Sequence, residues 1–118
     1  MSPIKPLEID CREVGPARLL TLGGHISTSE SQVVSETLQR LVSDGATKIV
    51  VDLANVDIIT SDGLGALIRA RKASTEAGGS LALSGVKGNI LDVFRMTRLD
   101  KIFPLYDSVG TAVKALQK

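Results

Sequence analysis

The sequence is poor in the residue types that build metal sites, disulfides and aromatic clusters. It contains one cysteine (Cys11), one histidine (His25) and no tryptophan, and only 3% of its residues are aromatic. One cysteine cannot form an internal disulfide, and these two side chains alone cannot complete a Cys/His zinc site. We therefore expect no metal ion and a reducing compartment. The core must be built from leucine, valine, isoleucine and alanine.

The chain also lacks an excess of either charge and any long apolar run. Its 14 basic and 13 acidic residues leave a net charge of +1, which argues against the basic surface that non-specific nucleic-acid binding requires. No segment approaches the roughly 20 apolar residues that span a bilayer. The opening residues, "MSPIKPLEIDC", lack the apolar stretch of a secretory signal. We therefore expect a cytoplasmic protein that binds neither nucleic acid nor membrane.

Motifs for cofactor binding and catalysis are missing as well. There is no phosphate-binding loop of the G-x-x-x-x-G-K-[ST] type, and the G-x-G at Gly63 and Gly65 lacks the third glycine of a dinucleotide fingerprint, since Ile68 stands there. The flanks of Ser61 do not match the G-x-S-x-G nucleophile motif. Cys11 is expected in the core and His25 in a solvated loop. We therefore predict no cofactor and no enzyme activity.

What the sequence does contain is one domain's worth of residues with clear periodicity. Its 118 residues are 43% apolar, enough for a single domain over 1–118, with 1–6 a flexible N-terminus. Residues 7–12 alternate, which predicts a strand with Leu7, Ile9 and Cys11 inward. A second strand at 17–22 follows a short turn, which indicates an antiparallel hairpin at a sheet edge.

Helices and strands then alternate to the end of the chain. The first helix has its apolar stripe at Val33, Val34, Leu38, Leu41 and Val42 and is predicted to end at Asp44 and Gly45. After it the predicted order is a strand at 48–53, a helix from about Asp62 to Ala77, a strand at 80–85, a short helix at 88–96, an edge or very short strand at 101–106 and a closing helix. Ser27 with Glu30, or Ser29 with Gln32, fits a capping box on the first helix, and Asp107 or Ser108 caps the last. In the second helix Leu64, Leu67 and Ile68 form the core stripe, and Arg69, Lys72 and Glu76 are predicted on the opposite, solvated face. This order predicts an α/β fold with about four helices and a mixed, mainly parallel sheet.

One turn stands out, in the segment "VDIITSDGLGAL" at 56–67. It brings hydroxyl groups, an acid and two glycines to the start of a predicted helix. Ser61 at this point is either a plain N-cap, worth roughly 1 kcal/mol, or an exposed group with a regulatory role. Ile58 and Ile59 are candidates for an exposed apolar contact, unless at least one of them packs beneath the turn. Gly63 and Gly65 would let another backbone approach closely.

Several segments together resemble the STAS domain, and more closely the stand-alone anti-sigma factor antagonists of bacteria. They are "KIVVDLANV", "DIITSDGLGAL", "EAGG", "SLALSGV" and "VFRMTRLDKIFPLYDSVGTAV", and the likeness runs from about Leu7 to Leu116. In that family the turn typically reads Asp-Ser-Ser-Gly-Leu-Gly, and its first serine accepts a phosphate. The matching residues here are Thr60, Ser61, Asp62, Gly63, Leu64 and Gly65. The resemblance therefore implies that Ser61 is the phosphoacceptor, with Thr60 as a back-up.

The resemblance also implies a partner-switching mechanism. The unphosphorylated antagonist binds an anti-sigma factor that is a serine kinase with a histidine-kinase-like ATPase fold, and so releases the sigma factor. Phosphorylation ends the complex, and a serine phosphatase restores it. The predicted partner-binding residues are Ser27, Ile58, Ile59, Thr60, Asp62, Gly63, Leu64 and Gly65. This set includes the two isoleucines named above as candidates for an apolar contact. We expect a monomer.

Three departures from the family pattern bear on this prediction. Thr60 replaces the usual acid before the acceptor, Asp62 replaces the second serine, and Ser27 stands where the family often carries an acid. Asp62 either weakens phosphorylation by repulsion or relocates the missing acid by two residues. Two alternatives stay open beside the phosphorylated antagonist: a non-phosphorylated STAS subunit of a lipid-transport or signalling assembly, and a small enzyme or nucleotide-binding domain, against which the missing catalytic groups count.

Overall fold

The predicted alternation of strands and helices is present in the computed structural model, which describes residues 6–117. Within that range the strands are β1 (Glu8–Val14), β2 (Ala17–Ile26), β3 (Lys48–Ile59), β4 (Ser80–Ser84) and β5 (Leu105–Tyr106), and the helices are α1 (Thr28–Ser43), α2 (Ser61–Glu76), α3 (Gly88–Met96) and α4 (Val109–Leu116), with a 3-10 turn at Leu99–Lys101. The segment predicted to be a flexible N-terminus, 1–6, lies outside the described residues except for Pro6.

The sheet follows chain order, β1-β2-β3-β4-β5. β1 pairs with β2 antiparallel, with Ile9 opposite Leu22, and the remaining neighbours are parallel. A mixed, mainly parallel sheet with an N-terminal antiparallel hairpin is thus confirmed. Each parallel connection contains a helix, because a crossover between parallel strands has to return along the sheet.

Helices cover the sheet on both faces, but unequally. The larger core lies under α1, α2 and α3, and the smaller one lies under α4. Val51 of β3 belongs to the larger core and its neighbour Val50 to the smaller, because successive strand residues point to opposite faces. Both valines are fully buried, which explains why β3 begins with a continuous apolar run.

The prediction that Cys11 and Ile9 lie in the core is wrong. Cys11 is exposed, and Ile9 keeps 38% of its surface accessible. Both point to the same sheet face as their buried partners Leu20 and Leu22, so the alternation was interpreted correctly. β1 is the edge strand, however, and the helices of that face pack over its inner neighbours.

Two helical positions predicted to face the core are also exposed. Val33 of α1 and Ile68 of α2 keep 45% and 40% of their surface accessible. Ile68 lies about 100° around the helix from the buried Leu67, which takes it beyond the arc that contacts the sheet. Arg69, Lys72 and Glu76 of α2 are exposed, as predicted.

The strand boundaries differ most at the last strand and at the ends of β2 and β3. β5 covers only Leu105 and Tyr106 of the predicted 101–106. Pro104 precedes it and has no N–H to donate, although its carbonyl accepts a bond from Leu83; a very short edge strand is thus confirmed. β2 runs on to Ile26 and β3 to Ile59, past the predicted ends at 22 and 53. These extensions carry the candidate site.

Candidate functional site

The carboxyl ends of β2 and β3 bring two helix starts together. Ile26 and Ile59 are paired across the parallel ladder, and the N–H of Thr60 donates to the carbonyl of Ile26 at 3.0 Å. α1 begins two residues after Ile26, and α2 begins two residues after Ile59. The N-terminal ends of both helices therefore lie at the carboxyl end of the parallel strands, which is where ligands of open α/β sheets usually bind.

Thr60, not Ser61, caps α2. Its hydroxyl oxygen accepts the N–H of Gly63 at 3.4 Å and donates its own proton to the carbonyl of Ile26 at 3.3 Å. Because these two bonds occupy the Thr60 hydroxyl, and the residue is half-buried, Thr60 has a structural role that a phosphate would disrupt. The interpretation of Ser61 as a plain N-cap is wrong.

Ser61 is the first residue of α2 and is exposed. Its hydroxyl makes no hydrogen bond to any other residue within 6–117. At this position the first N–H groups of a 16-residue helix and its dipole favour a negative group. An exposed hydroxyl without a structural task is thus located where an added anion is tolerated.

Asp62 is tied to the neighbouring helix rather than to Ser61. Its carboxylate accepts the hydroxyl proton of Thr28 at 2.8 Å, so the first turns of α1 and α2 are joined directly. Both residues are exposed. The site therefore has a fixed negative charge next to Ser61 in the chain, oriented by a threonine of α1.

Ser27 precedes α1 and interacts with an acid. Its hydroxyl donates to the Glu30 carboxylate at 2.9 Å, and the hydroxyl of Ser29 donates to the same group. These two bonds, Ser29 first, lower the pKa of the Glu30 carboxyl. Of the two predicted capping boxes, Ser27 with Glu30 is in contact, but the Ser27 side chain makes no capping bond to a backbone N–H. A carboxylate thus lies against the position where the family often carries an acid.

The two glycines of the turn have different surroundings. A Cβ on Gly63 would lie 2.8 Å from Cγ1 of Ile59 and 2.9 Å from Cγ2 of Ile26, whereas a Cβ on Gly65 would meet only Nη1 of Arg69, at 3.2 Å. Gly63 therefore lets α2 pack closely onto the two strand ends. The prediction that Gly63 leaves room for another protein's backbone is wrong, because its own chain fills that room.

Three of the predicted partner-binding residues are buried. Gly63 is buried, and Ile59 and Leu64 keep only 8% and 7% of their surface accessible. Ile59 packs beneath the turn, as one of the two alternatives had it, while Ile58 keeps 48% of its surface accessible. The accessible predicted residues are Ser27, Ile58, Thr60, Ser61, Asp62 and Gly65, in whole or in part.

Comparison with known sequences agrees with this geometry. The sequence profile of the STAS domain matches residues 8–112. The chain belongs to the STAS domain family. It is 27% identical over 96 residues to the putative anti-sigma factor antagonist BtrV of Bordetella bronchiseptica, which covers 81% of this chain and 83% of that protein.

Solved structures show the same fold for this STAS domain. An anti-sigma factor antagonist from Mycobacterium paratuberculosis superposes with a TM-score of 0.89 over the whole of both chains, at 20% identity. The phosphorylated form of the Bacillus cell fate determinant SpoIIAA superposes with a TM-score of 0.72 over 93% of this chain and 98% of that one, at 14% identity. At these identities the likeness establishes the fold.

The part of this STAS domain that the structure describes contains neither a candidate metal site nor a membrane-spanning helix. No three of its histidine, cysteine, aspartate and glutamate side chains are grouped so that they could hold a metal ion. None of its helices in the same range has the length and hydropathy needed to cross a membrane.

Sequence reasoning missed three residues of the site. Thr28 lies between Ser27 and Ser29 in a hydroxyl-rich segment, where no pattern distinguishes it from its neighbours. Asn89 of α3 donates from its side chain to the carbonyl of Asp57 at 3.1 Å, which connects α3 to β3 just before the turn. The helical pattern predicts only that Arg69 lies on the solvated face of α2. The contacts of Thr28 and Asn89 join segments 34 and 32 residues apart, so no local pattern predicts them.

Proposed function

We propose that this STAS domain is an anti-sigma factor antagonist controlled by phosphorylation of Ser61. Its partner would be an anti-sigma factor serine kinase with a histidine-kinase-like ATPase fold. The observation that carries the proposal is the exposed Ser61 hydroxyl, which has no hydrogen-bond partner among residues 6–117, while Thr60 supplies the cap. The name of the Bordetella relative and the existence of a phosphorylated SpoIIAA support it.

The docking surface would be the carboxyl edge of β2 and β3 with the starts of α1 and α2. Ile58 supplies an apolar contact, and Asp62 supplies a negative charge held by Thr28. A partner that covers this surface needs an apolar pocket and a basic group. Glu30, against the hydroxyl of Ser27, extends the negative charge to the start of α1.

Phosphorylation would switch this surface by charge. In the kinase complex the Ser61 oxygen bonds to the γ-phosphorus of ATP, the bond from that phosphorus to the β-phosphate oxygen breaks, ADP leaves, and a base of the kinase takes the hydroxyl proton. The product carries roughly −1.5 to −2 additional charges. Burying that charge against a surface that fits a neutral hydroxyl is unfavourable, and about 1.4–4 kcal/mol lowers affinity ten- to a thousand-fold. A serine phosphatase would hydrolyse the ester and restore the binding form.

The test of phosphorylation uses candidate serine kinases from the source organism with ATP. We expect the wild type to gain one phosphate by mass spectrometry, Ser61→Ala to gain none, and Ser29→Ala, which removes an exposed hydroxyl from α1, to behave as wild type. Phosphate on Thr60, or on Ser61→Ala as readily as on wild type, would contradict the assignment.

The test of switching compares two variants of similar size. Ser61→Asp adds a negative charge and Ser61→Asn does not, so binding to the kinase should weaken at least ten-fold more in Ser61→Asp. Equal binding of the two variants would show that charge at this position does not regulate the contact, and would favour a non-phosphorylated STAS subunit of a transport or signalling assembly.

A further inference from the structure

Ser61 has an unusual neighbour on the surface of α2. Residues four apart in a helix are adjacent on its surface, and the residue four positions after Ser61 is Gly65, which has no side chain. Nη1 of Arg69 lies 3.2 Å from the place where a Cβ of residue 65 would be. This orientation follows from the helix, since long helical side chains lean toward the N-terminus. A nitrogen of the Arg69 guanidinium therefore lies where a side chain at residue 65, the surface neighbour of Ser61, would otherwise be.

The Arg69 guanidinium has no partner of its own within the described range. The residue is exposed, and no ion pair or hydrogen bond joins it to another residue of 6–117. The acid that follows Ser61 in the chain, Asp62, is bonded to Thr28 on α1. The N–H donors of Arg69, which suit a phosphate, therefore have no partner among residues 6–117, and Nη1 lies beside Gly65, one helical turn from Ser61.

We propose that Arg69 binds the phosphate on Ser61 and holds it against α2 as a dianion. This proposal rests on the proposed function only in taking Ser61 as the phosphoacceptor. The second pKa of a phosphoserine is about 6, close enough to neutral pH for a neighbouring cation to change the population of the dianion. Arg69 therefore raises the fraction of the phosphate that is doubly charged near neutral pH, and it makes the charge state of the phosphorylated form depend on a residue of this chain.

The sign of the effect follows from the charges around the start of α2. Arg69 lowers the phosphate pKa because a cation favours the dianion. The acids act in the opposite direction; they include Asp62 on α2, Glu30 on α1, Asp57 on β3 and Glu8 on β1, and His25 on β2 is a further titratable group at this end of the sheet. A unit charge one helical turn away, about 5.4 Å, changes a pKa in water by about half a unit.

The experiment installs phosphoserine at position 61 by expanded genetic decoding, so that no kinase is needed. The phosphate pKa is then measured by 31P NMR titration in the full-length protein. We expect the pKa to rise by about half a unit in Arg69→Gln and to return toward the wild-type value in Arg69→Lys, which restores the charge.

Lys72→Gln is the matched control. It removes the same charge from an exposed position of α2 whose Cα lies about 16 Å along the axis from that of residue 61, against about 12 Å for residue 69. Because the screening length is about 10 Å at 0.1 M salt, the phosphate pKa should rise clearly less than in Arg69→Gln. An unchanged pKa in Arg69→Gln, or the same rise in Lys72→Gln, would overturn the proposal. Failure of every kinase to modify Ser61 would instead count against the proposed function and leave this measurement valid.

Discussion

Adding one methyl group at Gly63 should destabilise the protein, although the same change at Gly65 should not. In Gly63→Ala the new Cβ would lie 2.8 Å and 2.9 Å from side-chain carbons of Ile59 and Ile26. These isoleucines keep only 8% and 1% of their surface accessible, so neither can move away without disturbing the core. Overpacking of this kind costs about 1–3 kcal/mol, and the better helix propensity of alanine offsets at most about 1 kcal/mol. We therefore expect the free energy of unfolding to fall by about 1–2 kcal/mol.

Gly65→Ala is the matched control because it adds the same atom to the same helix. Its Cβ would meet only Nη1 of Arg69, at 3.2 Å, and that flexible end of an exposed side chain can rotate away. The helix propensity of alanine should then raise the free energy of unfolding by up to about 1 kcal/mol.

Urea denaturation followed by circular dichroism measures both variants, provided that the m-values agree with that of the wild type. The variant at residue 63 should also be phosphorylated more slowly, since relief of the clash has to shift the turn that carries Ser61. Equal changes in stability for the two alanine variants, or a stabilised Gly63→Ala, would refute the reasoning from close packing.

Three further predictions concern single side chains. In the same urea assay, Ser74→Ala should leave the free energy of unfolding unchanged or raise it by about 1 kcal/mol, because the Ser74 hydroxyl is fully buried without a hydrogen-bond partner in the described chain. Ser84→Ala, which removes a hydrogen bond to Asp52, should lower it. Thr60→Val should lower the free energy of unfolding by about 1 kcal/mol through loss of the cap, whereas Ser61→Ala should change it by less than about 0.5 kcal/mol, and the reverse order in thermal melts would contradict the assignment of the cap. The pKa of the Glu30 carboxyl is lowered in the folded state from its ordinary value of 4.5. The stabilising contribution of this carboxylate is therefore present above pH 4.5 and is lost as the pH falls through the folded pKa. Glu30→Gln should lose less stability than wild type in thermal melts between pH 5 and 3, and equal losses in the two proteins would contradict this prediction.

The prediction of this fold succeeded where a pattern is local and failed where the surroundings decide. The periodicity of α2 and the glycine that ends α1 follow from the chain itself, and both were predicted within one or two residues of the observed boundaries. The burial of Cys11 was predicted from the same kind of alternation, and it is wrong because β1 is the edge strand. Alternation indicates which residues share a face, but not whether a helix covers that face.

The same distinction between local pattern and surroundings applies to the candidate site. Turn chemistry and the family resemblance together selected the segment from Ile58 to Gly65, because hydroxyl, acid and glycine before a helical pattern mark a helix start. Which residue of that segment caps the helix depends on the carbonyl of Ile26, 34 residues earlier in the chain. Local pattern left open whether Ser61 is a plain N-cap or a regulatory group, and the family resemblance implied the phosphoacceptor; the structure assigns the cap to Thr60.

The sequence by itself determined the order of the elements, the mixed sheet and the segment in which the candidate acceptor lies, because these depend on periodicity, turn residues and the short range of backbone hydrogen bonds. Only the tertiary structure decided that the Ser61 hydroxyl has no hydrogen-bond partner within 6–117, that Ile26 and Ile59 fill the space beside Gly63, that Thr28 holds Asp62, and that Nη1 of Arg69 lies in the place of a side chain at residue 65. The first three depend on β2 and β3 ending side by side, and the last on the direction in which a long side chain leans along a helix. A linear pattern contains no information about which distant group arrives next to a hydroxyl.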